Sequence, residues 1–212
     1  VLAMKNMLHF HEVKLDLYYE TQSSDQDICR IIEQAEGLAL VALNLNWTLF
    51  RRTGLGRLLT TIGSMLKDLD LGRTNISDAA LAGVELPKLE ELNLNDCSNL
   101  TGTGVHELLT TSGSMLKKLD LEQTKISDAA LVGVRLPKLE VFSLYDCINL
   151  ADTGVQELLT TSGSMLKELG LAGTSISDAA LVGVRLPKLE MLNLNDCINL
   201  TDTGVQELLT TS

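Results

Sequence analysis

The sequence predicts an α/β solenoid, a horseshoe with a concave parallel β-sheet and short convex helices. Three observations support this fold. The strings LPKLE and GSMLK each recur every 50 residues. The pattern L-x-x-L-x-L occurs about twice in each 50-residue segment, and a helical pattern follows it. Because no single unit can bury its leucines alone, neighbouring units are expected to stack and share one core.

The repeats divide residues 1–212 into eight units of one domain. Counted at the last leucine of the pattern, the units end at Leu17, Leu45, Leu71, Leu94, Leu121, Leu144, Leu171 and Leu194. After the first units their lengths alternate between roughly 23 and 27 residues. The chain begins without Met and ends at Ser212, directly after a helical pattern, so we expect a fragment of a longer protein.

Each unit carries the signals of a strand, a turn and a helix. Leucines alternate with polar residues along the strand, which predicts one buried face. Helices are expected over DAALVGV and TGVQELLTTSG, and Gly63, Gly113 and Gly163 stand where longer helices should end. Ala151 stands where other units have a capping Thr. In the first unit Glu20 takes the third position after the final leucine, which holds an inward-pointing small side chain in the other units, so an irregular first unit is expected. N-caps followed by an acid are predicted at Ser77-Asp78, Ser127-Asp128, Ser177-Asp178 and Thr201-Asp202.

The third residue after each final leucine forms a column of small polar residues. This column is expected to point inward, where its side chains can satisfy backbone groups at the turn that leaves the strand. Its members are Thr48, Thr74, Cys97, Thr124, Cys147, Thr174 and Cys197.

Together these residues form the pattern L-x-x-L-x-L-x-x-[N/C/T], which resembles the leucine-rich repeat consensus over roughly residues 12–212. The units LEELNLNDCSNLTGTGVHELL and LEMLNLNDCINLTDTGVQELL look like the cysteine-containing subclass found in F-box substrate receptors. The TxISDAALVGV units are also similar to the repeat arrays of NOD-like innate immune receptors. The resemblance implies a non-enzymatic recognition module, either the sensor region of a NOD-like receptor or the substrate-binding repeat domain of an F-box ubiquitin-ligase subunit.

Composition and charge restrict the partners. Hydrophobic residues make up 45% and aromatic residues 3%, so the core is expected to consist mainly of Leu, Val and Ile. The net charge of −11 disfavours nucleic acid and anionic membrane as partners, because both require a Lys/Arg surface. No apolar run approaches the ~18 residues of a membrane-spanning helix, and no signal peptide is recognisable.

The four cysteines are expected to be thiols. Cys97, Cys147 and Cys197 lie two predicted strands apart, which is about 9.6 Å, whereas a disulfide requires Cα atoms within ~7 Å. Cys29 lies in a helical pattern far from that column. Thiols favour a reducing compartment, so the predicted location is the cytoplasm.

No constellation of residues predicts catalysis, a metal or a cofactor. His9 and His11 could share one face of a strand, but a third and fourth ligand are not evident. The glycines Gly54 and Gly56 lack the rest of a phosphate-binding loop. No Ser/His/Asp set and no paired carboxylates stand out, so the sequence predicts a protein that is not an enzyme.

The concave face is the expected binding surface, because it differs most between copies of the repeat. Residues 86–135 and 136–185 differ at 13 of 50 positions. Each unit has four concave positions, two beside the middle leucine and two after the final leucine, so a copy of two units has eight. Seven of these eight positions differ between the copies, whereas the other 42 positions hold six differences. Drift of exposed residues is the alternative, but it would also change the convex helices, which hardly vary.

The concave columns hold ten acidic and three basic side chains, or −7 of the net charge of −11. This excess favours a protein partner with a basic patch, because opposite charges steer association. The aromatic members are typical interface anchors, although Tyr18, Tyr19 and Trp47 could instead cover an irregular N-terminal end. The candidate ligand-binding residues are Tyr18, Tyr19, Asn46, Trp47, Asp68, Asp70, Arg73, Glu91, Asn93, Asn95, Lys118, Asp120, Glu122, Tyr145, Asp146 and Glu168.

Two further expectations concern the scaffold. The leucines of the last unit follow the internal pattern rather than that of a polar cap, so self-association through the C-terminal end is expected. A ladder of alternating charges should support strand register. Its members are Lys67, Glu90, Lys117, Glu140, Lys167 and Glu190.

Overall fold

The computed structural model describes residues 12–20, 25–34, 39–48 and 54–211, and it confirms the predicted α/β solenoid. Within these ranges eight strands form one parallel sheet in the order of the sequence. Equivalent leucines pair in register, as Leu69, Leu92 and Leu119 do, so they share the buried face. The strands are β1 (Val13–Asp16), β2 (Leu40–Asn44), β3 (Asp68–Asp70), β4 (Glu91–Asn93), β5 (Lys118–Asp120), β6 (Val141–Ser143), β7 (Glu168–Gly170) and β8 (Met191–Asn193).

Helices of two lengths alternate between the strands. The α-helices in the described ranges are α1 (Asp25–Gln34), α2 (Gly54–Ile62), α3 (Asp78–Leu81), α4 (Thr103–Ser112), α5 (Asp152–Ser162) and α6 (Asp202–Thr211). The shorter units hold a single turn, either α3 or the 3₁₀ turns Asp128–Ala130 and Asp178–Leu181. Successive helices pack against one another along the array. No helix in the described ranges is long and apolar enough to cross a membrane.

The helical segment of the shorter units ends earlier than DAALVGV predicts. Helix α3 stops at Leu81, and Gly83 follows with a φ of +69°. Gly133 and Gly183 repeat this left-handed conformation, which glycine adopts without steric cost and which ends a helix. The chain therefore turns back, and Val84 returns to the core, where it is fully buried.

The core runs along the sheet and consists mainly of Leu, Ile and Val, as the composition predicts. Phe142 replaces the middle leucine in β6 and is fully buried. The ends are less well covered. Strand β1 is only partly buried and its register shifts between Val13 and Lys14, and Leu192 in β8 is also partly buried. The expected irregularity of the first unit is therefore confirmed.

The column of Thr and Cys side chains points inward and binds backbone carbonyls, as predicted. The Thr74 hydroxyl donates to the carbonyl of Leu71 at 2.6 Å, and the Cys97 thiol from the next unit donates to the same carbonyl at 3.0 Å. The same arrangement recurs with Thr124 and Cys147 on Leu121, and with Thr174 and Cys197 on Leu171.

These cysteines are buried thiols and not disulfides, as expected for Cys97, Cys147 and Cys197. Burial raises the pKa of Cys97 and Cys147 to about 11, so both stay protonated at neutral pH and serve as hydrogen-bond donors. Cys29 lies on α1, away from this column.

Helices α2, α4 and α5 end directly before Gly63, Gly113 and Gly163, as predicted, but each glycine then begins a short 3₁₀ turn. These glycines also allow close packing. Helix α4 ends at Ser112, directly before Gly113, whose φ of −74° is that of a right-handed helix. A Cβ at Gly113 would collide with the side chain of Leu136. Gly63 and Gly163 meet the equivalent leucines of their next units in the same way.

The predicted N-caps are confirmed in part. Ser177 and Thr201 accept a backbone N–H from two residues further on, at 3.3 and 3.2 Å. The side chains of Ser77 and Ser127 make no capping bond, so this prediction was wrong for them. The short turn is closed by the backbone instead, because the N–H of Ala80 donates to the carbonyl of Ser77 at 2.8 Å.

The acid after each of these serines caps the next unit rather than its own. The Asp78 carboxylate accepts the N–H groups of Thr101, Gly102 and Gly104 and the hydroxyl of Thr101, at 2.7–3.2 Å. These groups lie at the start of α4, where free N–H groups favour an anion. Burial would raise the pKa of Asp78, but the hydrogen bonds together lower it.

Charged side chains link some neighbouring units. Lys117 lies 2.6 Å from Glu90, and Lys167 lies 2.6 Å from Glu140. Lys67 pairs at 2.6 Å with Glu12, outside the predicted ladder. All these side chains are partly exposed, so each ion pair contributes little to the stability of the fold.

Replacing Asp78 with Ala is expected to lower the free energy of unfolding by roughly 1–3 kcal/mol at pH 7, because several N–H groups lose their acceptor. Folding lowers the pKa of Asp78 from 3.8, so its stabilisation is present above that value and is lost as the pH falls through the folded pKa. Urea unfolding at pH 7 and pH 3 measures the difference.

Asp128→Ala is the matched control. Its carboxylate accepts the N–H of Ala151 at 2.8 Å, but Ala151 has no hydroxyl to donate. The loss at pH 7 should therefore be smaller than for Asp78→Ala. Equal losses, or a loss at Asp78 that does not become smaller between pH 7 and pH 3, would contradict the role of the cross-unit cap.

Candidate functional site

The concave face of the sheet holds a groove of about 560 Å³ that crosses β3 to β8. Its walls are the side chains that alternate with the buried leucines along each strand. Half of the candidate residues predicted from the sequence line it, namely Asp68, Asp70, Glu91, Asn93, Lys118, Asp120, Glu122 and Glu168.

The other candidates lie on the turns that leave the strands, and we call them the turn rim. The turn rim comprises Tyr18, Tyr19, Asn46, Trp47, Arg73, Asn95, Tyr145 and Asp146. Hydrogen bonds join it to the groove. The amide of Asn46 donates to both carboxylate oxygens of Asp70 at 3.0 and 3.1 Å, and the amide of Asn95 donates to Glu122 at 3.4 Å.

Some polar groove residues have a structural role that sequence reasoning missed. Oδ1 of Asp70 and of Asp120 accepts the backbone N–H two residues further on, each at 2.9 Å. Asn93 accepts the equivalent bond at 2.9 Å. This is an Asx turn, in which the side chain holds the bend that leaves the strand. The same bond forms at Asp16, Asn44 and Asn193.

Two carboxylates in the groove have raised pKa values. Burial raises the pKa of Asp120 to about 6, and the charges of Glu122 and Asp70 add to it, against a backbone hydrogen bond that lowers it. Burial also raises the pKa of Asp68, with further contributions from Glu91 and Asp70. These carboxylates are desolvated and repel one another, a situation that a nearby cation would relieve.

The groove carries little positive charge of its own. Lys118 is the one basic side chain among the described residues that line it, and its Nζ lies 2.9 Å from Glu91. The carboxylate of Glu122 instead accepts the hydroxyl of Ser143, a neutral donor. The negative charge of Asp68, Asp70, Asp120 and Glu122 is therefore largely uncompensated.

Tyr18, Tyr19 and Trp47 form an aromatic cluster on the turn rim. Ring centroids lie 6.3 Å apart for the tyrosines and 6.0 Å for Tyr19 and Trp47, and the Arg73 guanidinium lies 4.8 Å from the Trp47 ring centre. Tyr19 and Trp47 have φ values of 60° and 62°, which are unusual for bulky residues. The three residues are 57%, 61% and 41% exposed.

The same left-handed position holds an acid in several other units. Asp96, Asp146 and Asp196 have φ values of 53°, 55° and 57°. A short polar side chain tolerates this backbone well, so Asp146 meets a need of the fold whether or not it contacts a ligand. Tyr145 precedes Asp146, and its ring is 39% exposed.

Sequence reasoning passed over five residues that line the groove. Val141 and Met191 occupy the column of Glu91, and Gly170 occupies that of Asp120. Their concave positions follow from the repeat pattern, but none of the five carries a charge or an aromatic ring. These five are Val141, Ser143, Gly170, Met191 and Asn193, and the buried strand residues Leu92, Leu119, Phe142 and Leu169 also line the groove.

The described residues contain no group of three or more His, Cys, Asp or Glu that is arranged to hold a metal ion. His9 and His11, the pair considered as metal ligands, lie outside the described residues.

A parallel sheet of short leucine strands, with Thr and Cys side chains on the carbonyls of its turns, defines a leucine-rich repeat solenoid. A family model described as Leucine Rich repeat matches residues 85–109, which contain β4 and most of α4. The match confirms that the chain contains leucine-rich repeats.

A solved structure shares the fold. A chain in the crystal structure of the yeast Rad7 and Elc1 complex is 21% identical with a TM-score of 0.61, over 89% of this chain and 58% of that chain. The chain thus spans less than two thirds of that protein, and the likeness shows the fold alone. An internalin (inlF) from Listeria monocytogenes is 21% identical with a TM-score of 0.37, over 86% of this chain and 67% of that chain. No curated protein matches the chain.

Replacing Asp120 with Asn is expected to stabilise the protein by roughly 1–2 kcal/mol at pH 8, a value that allows for solvent screening. The pKa of Asp120 rises from 3.8 to about 6 on folding, so the ionised form is disfavoured in the native state. This penalty appears as the pH rises through about 6 and is absent below 3.8. Urea unfolding at pH 8 and pH 3.5 measures it.

Asn at this position keeps the acceptor for the turn, as Asn93 does in its own unit. Asp96→Asn is the control, because Asp96 is exposed and lies on the turn that leaves the preceding strand, β4. This change should alter stability by less than about 0.5 kcal/mol. If Asp120→Asn is less stable than the wild type at pH 8, the raised pKa of Asp120 is not a property of the folded protein.

Proposed function

We propose that this chain is a non-enzymatic recognition module whose concave groove binds a protein segment bearing Lys or Arg side chains. The observation that carries the proposal is the cluster of partly buried carboxylates, in which Asp70 and Glu122 contribute to the raised pKa of Asp120. An ammonium or guanidinium group in the groove would pair with these carboxylates and relieve their repulsion.

The distribution of sequence differences supports the same surface. Between residues 86–135 and 136–185, seven of eight concave positions differ, against six of the other 42. The Asx turns and left-handed turns restrict which residues part of this face can hold. Frequent sequence differences there are therefore unexpected if the face has only a structural role. A change of binding preference between copies accounts for it.

Two parent proteins fit this role. In a NOD-like innate immune receptor the module is the sensor region, and in the alternative, an F-box ubiquitin-ligase subunit, it holds the substrate. The fold likeness to a chain of the Rad7 and Elc1 complex does not distinguish between the two. A nucleotide-binding domain in the full-length protein would favour the first, and an F-box helix bundle the second.

A cytoplasmic location accords with the chemistry of the turns. Cys97 and Cys147 are buried, and their protonated thiols donate to the carbonyls of Leu71 and Leu121. Oxidation of these thiols would remove the donors, so a reducing compartment preserves the fold. Self-association through the last unit stays a prediction.

A fluorescein-labelled peptide of alternating Arg and Gly should bind the wild type, and the double variant Asp120→Asn with Glu122→Gln should weaken binding about tenfold at low salt. Binding to the wild type should also tighten from pH 5 to pH 7, because the pKa of Asp120 is about 6 and its carboxylate ionises over this range. The variant should lose most of this pH dependence. Fluorescence anisotropy titrations measure each affinity.

The control removes the same charge outside the groove. Glu85→Gln with Asp202→Asn changes two exposed acids on other faces, and it should leave the affinity nearly unchanged. Equal weakening by both double variants would show a response to net charge alone, and no binding of the arginine peptide would refute the proposal.

A further inference from the structure

The concave groove has two halves of different chemistry. Over β3 to β5 it is lined by Asp68, Asp70, Glu91, Asp120 and Glu122, with Lys118 among them. Over β6 to β8 the lining is Val141, Ser143, Gly170, Met191 and Asn193, with Glu168 as its acid. A purely basic partner accounts for the first half and leaves the second without a role.

Equivalent positions show how the second half loses its charge. The first residue of β4 is Glu91, whereas the first residues of β6 and β8 are Val141 and Met191. The last residue of β5 is Asp120, and that of β7 is Gly170. Acids are thus replaced by apolar or absent side chains at these positions, although Lys118 of β5 is replaced by the acid Glu168 in β7. Seven of the 13 differences between residues 86–135 and 136–185 lie at concave positions.

The second half also has an open floor. Gly170 contributes no side chain, and Ala172, which stands where the other copy has Glu122, is 1% exposed. Met191 is 60% exposed, and the Tyr145 ring stands on the adjoining turn rim. Exposed apolar groups around a floor of backbone form a surface on which an apolar side chain of a partner would be buried.

We infer that the groove binds one extended protein segment that is basic at one end and carries a bulky apolar side chain at the other. The inference rests on the proposed function and adds the second half of the partner. Charge complementarity sets the orientation, because a cation beside Asp70 and Asp120 meets several carboxylates, whereas beside Val141 the one acid that lines this half is Glu168. The apolar side chain then lies over Gly170, beside Val141 and Met191, and Glu168 occupies the strand position between those two residues.

The strand spacing sets the distance between the two ends of the segment. Asp120 and Gly170 are two strands apart, about 9.6 Å, and Asp70 and Gly170 are four strands apart, about 19 Å. An extended chain advances about 3.3 Å per residue. The apolar residue of the partner is therefore expected roughly three to six positions from its basic residue.

Three labelled peptides of about ten residues test this. The spaced peptide separates a pair of Arg from a pair of Leu by about four Gly and Ser residues. The adjacent peptide has the same composition with Leu directly beside Arg, and the leucine-free peptide has Ser in place of Leu. The spaced peptide should bind the wild type at least about fivefold more tightly than either of the others in anisotropy titrations at low salt.

A variant with Val141→Glu and Met191→Glu places carboxylates where Glu91 stands in the other copy. It should abolish the advantage of the spaced peptide and bind the leucine-free peptide as well as or better than the wild type does. Gly170→Asp provides a second variant with the same expected result, since an added Cβ would lie 3.0 Å from the Ser143 hydroxyl, which can rotate away. Circular dichroism checks that each variant is folded.

The outcomes separate this inference from the proposed function. If the spaced and leucine-free peptides bind the wild type equally, the apolar half has no role and the inference is overturned, while recognition of basic segments stands. An advantage of the spaced peptide that survives both variants overturns it as well, because the leucines then bind elsewhere. If no arginine peptide binds, the proposed function fails and this inference fails with it.

Discussion

The buried carbonyls of Leu71, Leu121 and Leu171 hold the array together. Each accepts the hydroxyl of a threonine from its own unit and the thiol of a cysteine from the next. A hydrogen bond of this kind contributes roughly 0.5–1.5 kcal/mol, so both donors add to stability, although the carbonyls of Leu121 and Leu171 also accept the backbone N–H of Thr124 and Thr174 at 3.3 and 3.2 Å. Because the two donors come from consecutive units, satisfying one carbonyl also fixes how closely those units stack. The alternation of Thr and Cys in the sequence thus follows from one local requirement.

This stacking constraint continues at the helices and limits which surface can vary. Asp78 caps the helix of the following unit, and Gly104 allows the approach because a Cβ there would collide with Asp78. The helices therefore touch their neighbours through polar bonds and close backbone contact, and substitutions there disturb two units at once. The first strand position and the residue after the final leucine make a bond to a neighbouring unit in some units only. The groove changes from acidic to apolar at these positions and also at Gly170, which stands where Asp120 makes the turn bond in the other copy.

The periodicity of the sequence was sufficient to predict the fold and the inward column, because both depend on residue spacing within one unit. The caps at Ser77 and Ser127 were predicted wrongly, since the acid that matters, Asp78, acts on groups more than twenty residues further along the chain. The sequence placed half of the candidate residues in the groove. It missed Val141 and Gly170, because they matter by the absence of the carboxylates found at Glu91 and Asp120. A search for charged and aromatic residues does not find such positions.

The carboxylate of Asp120 shows that the charge of the groove is not a by-product of the scaffold. Asn44, Asn93 and Asn193 make the same turn bond without a charge, so the fold does not require an acid at this position. Burial raises the pKa of Asp120 to about 6, which means that the ionised side chain destabilises the native state at neutral pH. Asp120 weakens the fold at a position where a neutral Asn makes the same turn bond. Its charge is therefore more readily explained by binding than by the stability of the fold.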